Sequence, residues 1–147
     1  MKKLIIEKQE AQPLVEFLLK VELKNKVSRL RNKLNKKLTE IVKETEEERI
    51  ELCKEHADKD EKGEAIVNDG QYQVADFEAL NNDILDLYKE KVVVEVGEYS
   101  SNFQPLFEYL DSESFDMTLS GSDANCYDRL LDIWEDAMEE TTEEGVN

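Results

Sequence analysis

The chain has few of the residues that build catalytic and metal-binding sites. Its 147 residues include one histidine, two cysteines, five glycines and one tryptophan. Two cysteines are too few for a disulfide framework. The glycines form no phosphate-binding loop or nucleophile elbow, and the many carboxylates have no convergent partners that would make one of them a general acid or base. We therefore expect a protein that is not an enzyme and that needs no cofactor or metal.

Long hydrophobic runs are also missing. No segment approaches the roughly 20 apolar residues that a transmembrane helix requires. The N-terminal run, Leu4–Ile6, is far shorter than the apolar core of a secretory signal. Two unpaired cysteines, Cys53 and Cys126, fit a reducing compartment. These features predict a cytoplasmic protein that does not contact a membrane.

Two short constellations resemble metal sites only weakly. The segment from Asp58 begins like a calcium-binding loop, but Lys62 stands at the fifth position and Asp69 at the twelfth, where calcium needs an oxygen ligand and a glutamate. A turn is the better interpretation. Cys53 and His56 share a helix face and Cys126 could join them, but a fourth ligand at a recognisable spacing is missing.

Charge of one sign dominates the composition. Acidic residues number 36 against 19 basic residues, which gives a net charge of −17. A surface this negative repels phosphate backbones and attracts basic partners. The charge is unevenly divided, however. Residues 20–43 carry nine cations against two acidic residues, a net of +7, whereas residues 44–91 carry −10 and residues 92–147 carry −14.

The basic segment has two interpretations. The favoured one is a solvated helix face that pairs with the protein's own acidic helices or with a second copy. The alternative is a site for nucleic acid or an acidic partner, with Arg29, Arg31 and Lys33 as the contacts. No aromatic residue interrupts the cations, although single-strand binding favours aromatic side chains. Nucleic-acid binding is therefore the less favoured function.

The acidic C-terminal segment also has two interpretations. Its carboxylates could imitate a row of phosphates and occupy the basic groove of a partner protein, or they could form an ordinary solubilising helix surface. Imitation of phosphates is the most specific mechanism that the charge supports. The candidate residues are Asp128, Asp132, Glu135, Asp136, Glu139 and Glu140.

Apolar periodicity predicts an α+β fold that is mostly helical. Apolar residues recur at helical spacing along residues 14–53, with a break near Lys24-Asn25-Lys26. The Asn68-Asp69-Gly70 sequence predicts a tight β-turn, and Asp76 is suited to cap a following helix. We therefore predict a long antiparallel helical hairpin with a β-ribbon at its tip.

The second half of the chain predicts a small sheet and a closing helix. The β-branched run Val92–Val96 should pair with the N-terminal strand, and Phe115–Leu119 could add a further strand, so the small sheet should have two or three strands. A short helix should cover residues 103–110. A final amphipathic helix should begin after Ser120 or Ser122 and bury Tyr127, Leu130, Leu131, Trp134 and Met138. We expect one domain over residues 1–138 and a flexible acidic tail over residues 139–147.

Three segments together carry a family resemblance. The first is Lys26–Lys33, with its Ser-Arg-Leu-Arg element. The second is the hairpin Asp60–Tyr72, with Gly-Glu-Ala-Ile and Gly-Gln-Tyr. The third is Val92–Tyr99, followed by Leu119–Gly121 and Tyr127–Leu131. Over most of its length the chain resembles an uncharacterised family of small acidic proteins encoded by phages and prophages of Gram-positive bacteria. The resemblance implies a phage genome and no mechanism, because that family has no established activity.

These observations favour a non-catalytic, phage-encoded accessory protein that binds another protein in the host cytoplasm. Its partner would carry a basic surface, or would be a second copy of the chain. In the most specific version, the acidic surface inhibits a nucleic-acid-binding or defence protein of the host. The first alternative is a phage assembly component that self-associates through the basic helix. The second is a nucleic-acid binder that uses Arg29, Arg31 and Lys33.

Overall fold

The computed structural model describes the backbone of residues 2–146 and the side chains of residues 2–139. The predicted α+β, mostly helical class is confirmed. The elements in chain order are β1 (Lys2–Glu7), a 3-10 turn (Lys8–Glu10), α1 (Ala11–Lys20), α2 (Asn25–His56), β2 (Val67–Asn68), β3 (Gln71–Tyr72), α3 (Phe77–Lys89), β4 (Lys91–Val96), α4 (Gln104–Leu110) and α5 (Gly121–Val146).

The predicted break in the first helical region separates α1 from α2. Helix α1 ends at Lys20, and Lys24 has an extended backbone. The next residue, Asn25, has a φ of 53°, a left-handed conformation that asparagine tolerates better than most residues. The chain therefore turns a corner before α2 begins.

The helical hairpin and its β-ribbon tip are confirmed. Helices α2 and α3 pack together, and the β2–β3 turn places Asp69 and Gly70 at φ values of 52° and 79°, as a type I′ turn requires. Asp76 caps α3 by accepting a hydrogen bond from the Ala79 N–H at 3.1 Å. Phe77, in the first turn of α3, is exposed. It lies roughly 70° around the helix from the buried line of residues 80 and 87.

The small sheet contains two strands, because β1 pairs with β4 in antiparallel register. The prediction that Val92–Val96 joins the N-terminal strand is therefore confirmed. The sheet thus has the smaller of the two predicted sizes, since none of the described residues pairs with Phe115–Leu119 as a neighbouring strand. The apolar side chains of this segment pack on the core instead, and Phe115 stacks on Tyr127 with ring centroids 5.2 Å apart. Alternating side-chain burial thus arises here without strand pairing.

Helix α5 is centred on residues that the sequence pattern did not single out. Ile133 and Ala137 are buried with Leu130, whereas the other predicted core residues of this helix lie half-buried on the flanks. The ring of Trp134 stacks on Phe107 of α4 at 4.6 Å. Because α5 extends to Val146, the helix continues past the predicted tail boundary, but side chains after Glu139 lie outside the description. The domain boundary and the flexibility of the tail remain predictions.

The basic segment and the acidic C-terminal helix belong to different helices that both pack on α1 and α4. Helix α2 packs against α1 and α4, and α5 packs against the same two helices and against β1. The intervening layer includes the fully buried residues Phe103, Leu106, Phe107 and Leu110. Helices α1 and α4 therefore contact both α2 and α5, and a salt bridge from Lys20 to Asp123 joins the basic segment to α5.

Candidate functional site

One side of α5 carries a row of exposed carboxylates, which we call the acidic stripe. Their spacing of three or four residues keeps them on one side of the helix over a length of roughly 16 Å. The sixth candidate, Glu140, lies outside the residues whose side chains are described. The acidic stripe consists of Asp128, Asp132, Glu135, Asp136 and Glu139.

Arg129, which lies within the span of the acidic stripe on α5, has an internal partner. Arg129 donates two hydrogen bonds to the carboxylate of Glu10, one from Nε to Oε2 and one from an Nη to Oε1 at 3.1 Å. This bonding, which outweighs the effect of burial, raises the pKa of Arg129, and the charges of Asp132 and Asp136 raise it further. Among the described side chains, no carboxylate of the acidic stripe forms a salt bridge. The stripe therefore keeps its negative charge available to a partner.

The Glu10 carboxylate belongs to a cluster of ion pairs at the 3-10 turn. Burial by itself would raise the pKa of Glu10, but hydrogen bonds from Arg129 and from the Glu7 N–H lower it overall. Two residues earlier, Lys8 bonds to Glu48 of α2 at 2.9 Å and to Glu90 before β4 at 3.5 Å. These bonds overcome the opposite effect of burial and raise the pKa of Lys8. Ion pairs therefore connect the 3-10 turn to α2, to α5 and to the residue before β4.

The basic segment is not paired with the acidic helices. Within the described residues, Lys20 forms a salt bridge with Asp123 at 3.0 Å, whereas the other eight cations of residues 20–43 form none. Seven of these eight remain when Arg31, whose partners are backbone carbonyls, is set aside. The interpretation that this segment is neutralised internally is therefore wrong for most of its charge. We call these seven residues the basic face: Lys24, Lys26, Arg29, Lys33, Lys36, Lys37 and Lys43.

The structure separates the three predicted basic contacts. Arg29 is exposed and Lys33 is half-buried on the basic face. Arg31 instead donates hydrogen bonds to the carbonyl oxygens of Leu18 at 2.9 Å and Val21 at 2.8 Å. These carbonyls belong to the end of α1, where backbone acceptors lack partners within the helix. Arg31 therefore holds the α1–α2 corner, and a partner would meet Arg29 and Lys33.

Tyr99 lies beside the basic face, although it is distant in sequence. It lines a groove of about 520 Å³ together with Lys26, Arg29 and Lys33, and its exposed fraction is 87%. Sequence periodicity could not predict this contact, because Tyr99 follows β4 in the chain and is brought next to α2 by the tertiary fold. An exposed aromatic ring beside several cations is the combination that single-stranded nucleic acid prefers. The basic segment contains no aromatic residue, but the fold places the Tyr99 ring beside its cations.

Residues 2–141 match the family described as "Protein of unknown function (DUF1617)". The chain belongs to this family. No curated protein and no solved structure matches it. The expected membership of an uncharacterised family over most of the chain is therefore confirmed. The match assigns no activity to any residue of this DUF1617 protein, so its function has to be argued from its own surfaces.

The other predicted constellations are separated or locally bonded in this DUF1617 protein. His56 pairs with Asp83 at 2.6 Å, and Cys53 is buried in the same helix. Cys126 lies instead beside Pro13, and burial together with the charge of a nearby aspartate raises the pKa of its thiol. No group of three or more potential ligands among the described residues could hold a metal ion.

The calcium-like segment is a turn. The Asp60 carboxylate accepts hydrogen bonds from the backbone N–H groups of Lys62 at 2.8 Å and Glu64 at 3.0 Å. This side chain therefore stabilises the loop itself, as aspartate commonly does in turns. None of the helices that the structure describes combines the length and the apolarity needed to cross a bilayer.

Proposed function

We propose that the chain is a non-catalytic, phage-encoded accessory protein that uses its acidic stripe to occupy the basic groove of a host protein. The observation that supports this proposal is the row of five exposed carboxylates, which have no salt-bridge partner among the described side chains. Five charges over roughly 16 Å give about one charge per 4 Å, close to the charge every 3.4 Å along one DNA strand. The phage setting rests on the family resemblance of the three sequence segments.

The partner would be a nucleic-acid-binding or defence protein in the host cytoplasm. Such proteins present basic grooves that complement a row of phosphates, and they would complement the acidic stripe for the same reason. Opposite charges would speed association and choose the orientation of the complex. Because the acidic stripe belongs to α5 and the basic face to α2 and the residue before it, the basic face would remain outside this contact.

Affinity capture from a lysate of a bacterial host tests this proposal. The bait would be the intact chain, compared with a variant that carries Asp132→Asn, Glu135→Gln and Asp136→Asn. We expect the intact chain to retain a basic host protein that elutes as salt is raised, because added ions screen exposed charges. The variant should retain much less of it. Recovery of phage structural proteins alone, or equal recovery by both baits, would contradict the proposal.

Single-stranded nucleic acid is a second candidate ligand, favoured by the position of Tyr99. The ring lies in one groove with Lys26, Arg29 and Lys33, so stacking and charge could act together there. A salt-dependent gel shift that is lost in both Tyr99→Ala and Arg29→Ala would support this function. A shift that persists in both variants would rule out this groove.

Phage assembly through the charged surfaces is the third candidate. The basic face and the acidic stripe are both unpaired within the described residues, so one copy could bind the next in a head-to-tail manner. Because such contacts join two different surfaces, they would produce rings or open chains rather than twofold dimers. Salt-sensitive polymers in sedimentation experiments would support assembly. A chain that stays small at low salt and is missing from purified particles would exclude it.

A further inference from the structure

Strand β4 has an open edge. One of its sides pairs with β1, and the two strands form a two-stranded sheet. Helix α5 packs against β1. Among the described residues, β1 is the one element that packs extensively against β4, so the other edge of β4 is uncovered. Val93, at the middle of β4, is 46% exposed. An exposed edge with an apolar centre is a template for a further strand.

The backbone pattern shows which residues of β4 face this edge. The Lys8 N–H donates to the Glu90 carbonyl at 2.9 Å, one step beyond the last paired residues of β1 and β4. In an antiparallel ladder, hydrogen-bonded and non-hydrogen-bonded pairs alternate along the strands. Counting from residue 90, residues 92, 94 and 96 therefore bond to β1. Lys91, Val93 and Glu95 direct their N–H and C=O groups to the open edge.

The sequence of β4 is complementary to itself. In an antiparallel pair that is symmetric about Val93, Lys91 lies opposite Glu95 of the second copy, and Val92 lies opposite Val94. In this register Lys91, Val93 and Glu95 occupy the hydrogen-bonded positions of the new pair. These are the same three residues whose N–H and C=O groups face the open edge. We propose that β4 pairs with β4 of a second copy of this chain, with Val93 on the twofold axis, to form a four-stranded antiparallel sheet.

The exposed face of the sheet supports the same pairing. Within one chain, Glu95 lies opposite Lys3 of β1, and Lys91 lies opposite Glu7. Adding the second copy extends each row across four strands. One row would read Lys3, Glu95, Lys91 and Glu7, so charges of opposite sign would alternate. The central row would contain Val93 and Ile5 from both copies. Opposite charges and β-branched residues in facing positions both stabilise antiparallel strands.

The proposed contact is small, so it should depend on concentration. Five facing residues from each strand bury less than the roughly 1,200 Å² that characterises stable complexes. The exchange should therefore be fast, and the dimer should dissociate on dilution. This pairing does not require the proposed function, because it uses the backbone edge of β4, although Lys91 of that strand lines a groove with Asp136 and Glu139 of the acidic stripe. Its failure would leave the proposed function untouched, and the reverse also holds.

Sedimentation velocity over a wide concentration range tests the dimer. We expect the full chain to shift from monomer to dimer, and we expect Val93→Asp and Val93→Lys to remain monomers because each places like charges opposite each other. An equimolar mixture of these two variants should recover the dimer. Loss of folding cannot produce this recovery, and far-UV circular dichroism checks each variant. A chain that stays monomeric at all concentrations, or a mixture that fails to associate, would overturn the proposal.

Disulfide trapping tests the register. In a background with Cys126→Ser, the Val93→Cys variant should form a covalent dimer on mild oxidation, because facing hydrogen-bonded residues have Cα atoms about 5.5 Å apart, within disulfide range. The matched control is Glu95→Cys. Its two copies would lie four residues apart along the strands, roughly 13 Å, which is too far. Equal trapping of both variants, or a dimer that depends on Lys36 and Lys37 instead, would overturn β4 pairing.

Discussion

Arg129 of α5 donates hydrogen bonds to both carboxylate oxygens of Glu10 in the 3-10 turn. The two residues are 119 positions apart in sequence, and their ion pair connects the acidic helix to the start of the domain. The guanidinium group is therefore occupied inside the protein instead of neutralising the carboxylates around it. This one contact contributes to the stability of the fold and to the availability of the acidic stripe.

Breaking this ion pair should destabilise the protein. We expect Arg129→Met to lower the free energy of unfolding by about 1–2 kcal/mol, because a charged hydrogen bond is lost but the guanidinium is partly exposed to solvent. Urea denaturation followed by the fluorescence of Trp134, the single tryptophan, measures the loss. A double-mutant cycle with Glu10→Gln should show coupling between the two changes. Simple additivity would show that the pair contributes nothing.

The same carboxylate predicts a pH dependence. Burial opposes the shift, but bonding to Arg129 and to a backbone N–H places the pKa of Glu10 in the folded state below its ordinary value of 4.5. Ionised Glu10 therefore adds stability above pH 4.5, and this contribution disappears as the pH falls through the lower, folded-state pKa.

Unfolding curves of wild type and Glu10→Gln should accordingly differ most near neutral pH. Their difference should shrink below pH 4.5 as Glu10 becomes protonated in the unfolded state, and it should be smallest below the folded-state pKa, where both side chains are uncharged in both states. Denaturant midpoints measured between about pH 6 and about pH 2.5 provide the comparison. A difference that stays constant over this range would mean that Glu10 is not the titrating group.

Two neighbouring arginines should behave differently when each is replaced by alanine. Arg31→Ala should lower the free energy of unfolding by about 2 kcal/mol, since the carbonyls of Leu18 and Val21 lose a charged donor. Arg29→Ala, at an exposed position, should change it by less than about 0.5 kcal/mol. Chemical denaturation of the pair of variants measures both. Equal losses would contradict the assignment of Arg31 to the α1–α2 corner.

A buried asparagine offers a stabilising substitution. Asn35 of α2 is 7% exposed, and neither polar atom of its side chain has a hydrogen-bond partner among the described residues. Burying an unsatisfied amide costs about 1–3 kcal/mol. We therefore expect Asn35→Leu to raise the thermal midpoint, while Asn35→Asp lowers it because a charge would be buried. A lower midpoint for Asn35→Leu would show that the amide has a role that its surroundings do not explain.

The parts of the fold that local sequence signals determine could be predicted. Asp69 and Gly70 tolerate the positive φ values of a hairpin turn, and Asp76 caps the helix that follows. Alternation alone was insufficient at Phe115–Leu119, because a strand also needs a neighbouring strand and none of the described residues provides one here. Side-chain burial alternates along this unpaired segment as it does along the paired strand β4, so periodicity cannot distinguish the two.

The candidate surfaces were predictable in composition but not in arrangement. The acidic stripe follows from helical spacing, so its residues could be named from sequence. Arg31 and Tyr99 could not be assigned in this way, since the partners that define them lie in other elements. Neutralisation of the basic segment was expected from charge balance, yet α1 and α4 lie between α2 and α5 and keep the opposite charges apart.

Two variants of equal net charge test the central proposal most directly. One carries Asp132→Asn, Glu135→Gln and Asp136→Asn in the acidic stripe. The other carries Glu61→Gln, Glu64→Gln and Asp69→Asn at the exposed tip of the hairpin. The measurement is the affinity of each for the captured basic partner over a range of salt concentrations. We predict that the stripe variant binds at least about tenfold more weakly and with a shallower salt dependence, while the hairpin variant binds like the wild type. Equal weakening of both variants would mean that overall charge, and not the acidic stripe, attracts the partner.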